Sequence, residues 1–77
     1  MQALGLSVRE IQQTVRACAH VRIPEAIPPY LQQFLVLRVR SEHPALARKV
    51  ADLSQDQCAE LFRLIRALQR AGREESP

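Results

Sequence analysis

Seventy-seven residues are expected to form a single helical domain, 1–77, with a small core and frayed ends at about 1–5 and 73–77. A hydrophobic content of 47% is that of a folded chain, and only 4% aromatics make its interior aliphatic; abundant Ala, Leu, Gln, Glu and Arg with two glycines predict an all-α fold. A net charge of +3 argues against a polybasic arm or a membrane-surface protein, and the longest unbroken apolar run, Phe34 to Leu37, is far short of a membrane span.

The N-terminal stretch MQALGLSVREIQ has no basic region leading into a long apolar run, so no signal peptide is expected and the protein reads as soluble and cytoplasmic. Ser7-Val8-Arg9-Glu10 has the S-x-x-E form of a capping box, in which hydroxyl and carboxylate each satisfy an orphan backbone N–H. Leu6, just before it, suits a staple onto Ile11. Val8, Ile11, Val15, Cys18 and Ala19 share one face, while Arg9, Gln13, Arg16 and His20 face out; the pattern predicts a helix over 7–21. Leu4-Gly5-Leu6-Ser7 followed by Glu10-Ile11 resembles the segment after the wing in MerR-type activators, over about eight residues and without the DNA-reading part that precedes it there.

Arg22 to Pro28 is a connection, because Pro24 and Pro28 each disfavour helix in the residue before them; Ile23 and Ile27 are expected to tuck beneath the next element. That element, PPYLQQFLVLRVR, is the most apolar of the chain. On a helix, Leu37, Tyr30, Phe34, Leu31, Leu35 and Val39 cover roughly half the circumference and Val36 the far side, with Arg38 intruding on the apolar arc. A helix apolar nearly all round needs neighbours on several sides, so this is expected to be the central helix, at about 29–42. A strand over Phe34 to Ser41 is the rival, since Leu37-Arg38-Val39-Arg40 alternates, but no second strand-like run is present to pair with it.

Pro44 suits the first turn of a third helix, 44–53, with Leu46, Val50 and Leu53 on its inner face. Ser54-Gln55-Asp56-Gln57 is a second capping box and opens a helix over 55–71, where Cys58, Leu61, Phe62, Leu64, Ile65 and Leu68 form a broad apolar arc and Gly72 marks the expected end. Leu53 to Gln57 resembles the start of the second helix in phage-repressor-type helix-turn-helix domains. There a turn and a recognition helix follow; here the helical pattern runs on through Phe62 to Arg66.

Ten of the eleven basic residues are arginine, the side chain whose planar fork grips phosphate and carboxylate bidentately. Arg63, Arg66, Arg70 and Arg73 fall within about 80° of one helix face and form a candidate stripe for phosphates or an acidic partner. Positions opposite a core face must in any case be polar, which accounts for such a stripe without a ligand. No aromatic interleaves it, so single-strand stacking is not expected. Cys18, His20, His43 and Cys58 could formally ligate zinc, but their spacing matches no usual finger or ribbon, and no metal or cofactor is expected. His43 beside Ser41 and Glu42 offers no relay from separate elements, there is no Gly-rich phosphate loop, and a small core leaves little room for a substrate pocket. No catalysis and no small-molecule substrate are expected.

These readings converge on a compact bundle of four short helices around an apolar second helix. The expected function is a non-catalytic protein–protein interaction module, self-associating through Leu35, Val36 and Val39 into a homo-oligomer, that regulates or scaffolds a larger partner. The alternative is a small DNA-binding regulator using the arginine stripe on the last helix.

Overall fold

Ser7 opens the first helix as its sequence dictates: its hydroxyl accepts from Glu10 N–H at 3.1 Å, and its own N–H donates to Glu10 Oε1 at 2.9 Å. The computed structural model describes residues 4–75, and the side chains of 4–72. Among the described residues there are four helices, α1 (Val8–Ala17), α2 (Tyr30–Arg40), α3 (Pro44–Ala51) and α4 (Gln55–Glu75), and no strand. The fold is an all-α bundle in which α2 packs chiefly on α3 and α1, and α1 on α4.

One hydrophobic cluster joins all four helices. Leu31, Leu35 and Val39 enter it from α2, Leu46, Ala47 and Val50 from α3, and Cys58, Leu61, Phe62 and Ile65 from α4. Cys18 and Ile23 close it from the first connection, and Ile27 packs against it, as their place between prolines led us to expect. Thr14 is the one buried polar side chain among the described residues. Its hydroxyl donates to Ile11 C=O at 2.6 Å, which removes most of the cost of burying it.

α1 is shorter and turned differently from the sequence reading. It ends at Ala17 instead of Val21, and its inner face holds Thr14 while Val8 is 74% exposed and Ala19 lies at the surface. The chain tightens after Thr14: Cys18 N–H bonds to both Thr14 and Val15 C=O, and Ala19 N–H to Arg16 C=O. Two carbonyls at this end are reached from other helices, and the second of them, Cys18 C=O, also accepts from Val21 N–H. Arg38 Nε donates to Ala17 C=O at 2.7 Å and Gln69 Nε2 to Cys18 C=O at 2.7 Å. The same device ends α3, where Gln32 Nε2 lies 2.9 Å from Val50 C=O and 2.8 Å from Leu53 C=O. Last-turn carbonyls need partners, and here side chains from elsewhere in the chain supply them.

α3 ends at Ala51 instead of 53, which puts Leu53 beyond it, and Leu64 and Leu68, expected on the apolar arc of α4, are exposed. The remaining differences lie at the ends. Leu4, expected to fray, packs against the core, and Gly5 after it leads toward the cap with a φ of 72°, which a side chain would resist. Gly72 does not stop α4. It keeps a negative φ, so it cannot form a left-handed cap, and the helix continues through Glu74 to Glu75. The rest of the expected fraying, at 1–3 and 76–77, lies outside the described residues. α4 runs unbroken where a phage-repressor domain would turn into its recognition helix.

Candidate functional site

Two surfaces stand out, and neither is the pair read from the sequence. The first is a polar cleft between α4 and the connection after α1. Gln69, tied to Cys18 C=O, is part-buried and holds this segment of α4 against the connection. Arg66 and Arg70 flank it, one helical turn apart, or about 6 Å along the axis. Across from them lie His20 and Arg22, and together these side chains line an open cleft of about 620 Å³. It is a surface feature between two elements, so the smallness of the core, which spoke against a pocket, does not limit it.

The cleft divides the predicted stripe. Arg66 and Arg70 line it, whereas Arg63 points away and pairs with Glu60 at 3.2 Å. The side chain of Arg73 lies outside the described residues. Arg22 went unnoticed in the sequence because it sits in an irregular, proline-flanked segment where no periodicity assigns a face.

The second surface is the outer side of α2. Tyr30 and Leu37 are 69% and 59% exposed, with Phe34 half-buried between them. Arg38, which looked out of place on the apolar arc, covers Phe34 with its guanidinium 5.5 Å from the ring centroid while capping α1. A groove between α2 and α1 carries Phe34 and Leu37, with Arg16 and Glu42 at its edge. The expected contact residues are elsewhere. Leu35 and Val39 are 0% and 1% exposed inside the chain's own core and leave no surface for a second copy, while Val36 is half-buried against it. The correction has a physical cause: α3 and α1 cover the very strip that the sequence left without neighbours.

Cys18 and Cys58 are free and buried. Burial raises both thiols above the ordinary value of 9.0, and Arg38 only partly offsets this at Cys18. Neither is poised as a thiolate nucleophile or ligand at neutral pH. Among the described residues no three His, Cys, Asp or Glu side chains gather as a metal site, and no helix is long and apolar enough to cross a membrane. No family model, curated protein or solved structure matches the chain.

Proposed function

We propose that the chain is a non-catalytic helical interaction module that pairs with a second copy of itself and so scaffolds or regulates a larger partner. The observation that carries this reading is the outer strip of α2, where Tyr30 and Leu37 stay more than half exposed on either side of Phe34. Burying apolar surface is worth about 25 cal/mol per Å², and aromatic anchors concentrate that gain. The groove beside the strip carries both signs of charge, Arg16 and Glu42. Opposite charges on one surface suit a two-fold pair, in which each copy offers the other the same arginine and glutamate. Sedimentation equilibrium over a concentration series tests it. The wild type is expected to gain mass with concentration, and Leu37→Glu to stay monomeric with an unchanged helical spectrum. A wild type that stays monomeric at every concentration sinks the self-association reading.

The second reading is a small DNA-binding regulator. It draws on the arginines of α4, of which Arg63 and Arg70 are exposed and Arg66 is half-buried. The affinity for a labelled random duplex, read by anisotropy, would then fall by about 0.9 log units per log unit of salt for each phosphate neutralised.

A further inference from the structure

We infer that the cleft between α4 and the connection after α1 binds a compact phosphate-bearing ligand, of the size and charge of a pyrophosphate group, through Arg22, Arg66 and Arg70. The inference does not depend on self-association, since the cleft and the outer strip of α2 share no lining residue. Three arginines line the cleft from segments more than forty residues apart in the chain. Among the described residues the lining carries three arginines and no acidic side chain, so the cleft is positive.

Arginine forks match phosphate oxygens in geometry as well as charge. Two of the three sit one turn apart on a helix that Gln69 pins to the connection, so less ordering is needed when a ligand arrives. The cleft, at about 620 Å³, falls among small-ligand sites, which run from about 300 to 1,000 Å³. A duplex would call on the outward Arg63 as much as on Arg66. A ligand seated in the cleft calls on Arg22 and passes Arg63 by, because Arg63 is outside the lining and paired with Glu60.

That contrast is the test. Inorganic pyrophosphate is titrated calorimetrically into the wild type and into Arg22→Gln, Arg66→Gln, Arg70→Gln and Arg63→Gln. Saturable binding is expected, weakened about tenfold or more by each of the first three, the scale of one lost charge-assisted hydrogen bond. Arg63→Gln is expected to bind as the wild type does. If a glutamine variant fails to fold, the lysine variant at that position replaces it; it keeps the charge, loses the fork, and is expected to bind more weakly than the wild type. The inference is overturned if pyrophosphate does not saturate the wild type. It is equally overturned if Arg63→Gln weakens binding as much as Arg22→Gln, or if only a duplex binds.

Discussion

The two long sides of α2 carry similar apolar side chains and meet opposite fates. Leu31, Leu35 and Val39 are sealed beneath α3 and α1, while Tyr30 and Leu37 stand in solvent on either side of Phe34. The inner side holds the bundle together; the outer side contributes little to the fold and is free to contact something else. Apolar character alone does not separate the two roles. What separates them is which side the neighbouring helices cover, and a partly covered apolar helix in a small domain offers a contact surface only on its uncovered side.

Breaking the inner side should have the largest effect. Leu35→Ala removes a fully buried side chain and is expected to cost about 2–5 kcal/mol in urea-induced unfolding, the range for a core leucine. A loss well under 1 kcal/mol, on the order of a surface substitution, would mean that the inner side is not the core.

Next come the side chains that tie α2 to its neighbours. Gln32→Ala removes the side-chain donor to the Val50, Ala51 and Leu53 carbonyls, of which Val50 C=O keeps the Leu53 N–H, and is expected to cost about 1–3 kcal/mol. Its neighbour Gln33 is exposed, and Gln33→Ala is expected to change stability by about 0.5 kcal/mol or less. Equal effects at the two positions would deny Gln32 its role.

These glutamines show where the sequence is legible and where it is not. Ser7 with Glu10, and Ser54 with Gln57, announce helix starts because both partners lie within one turn, and both capping boxes form as written. The helix count and the α2 and α3 core faces follow from local periodicity in the same way. Gln32, Arg38 and Gln69 act on carbonyls up to 51 residues away, so nothing in their own neighbourhoods distinguishes them from solvated polar side chains. The early end of α1 was hidden for that reason, since its stop signal lies in other helices. The basic cleft was half legible: Arg66 and Arg70 repeat with the helix, but Arg22 joins them only through the path of the connection.

Smaller still is the tie between α1 and α3. The Ser7 backbone N–H, and after it Lys49, whose Nζ lies 2.9 Å from Oε2, hold the Glu10 carboxyl below its ordinary value of 4.5. A carboxylate lowered in the folded state adds stability that is fully present above its unfolded value and is lost as pH falls through the folded one. Stability is therefore expected to hold near neutral pH and to decline in acid below pH 4.5, with Glu10→Gln less stable at neutral pH and showing a shallower acid decline. Chemical denaturation at several pH values measures both slopes, and parallel profiles would remove Glu10 from the account.

The smallest effect on the fold should come from the outer side, and that is what gives it diagnostic value. Leu37→Gln removes an exposed apolar side chain and is expected to move unfolding of the dilute protein by about 0.5 kcal/mol or less. At high concentration the same substitution should lower the melting temperature relative to wild type, because only the wild type gains stability from pairing. A contact surface therefore shows as a concentration-dependent difference between the two proteins, and a merely exposed leucine as a constant one. Phe34 makes a poorer probe: half-buried and covered by Arg38, it belongs to both sides, and its loss would mix a folding defect with an assembly defect. Leu37 keeps them apart.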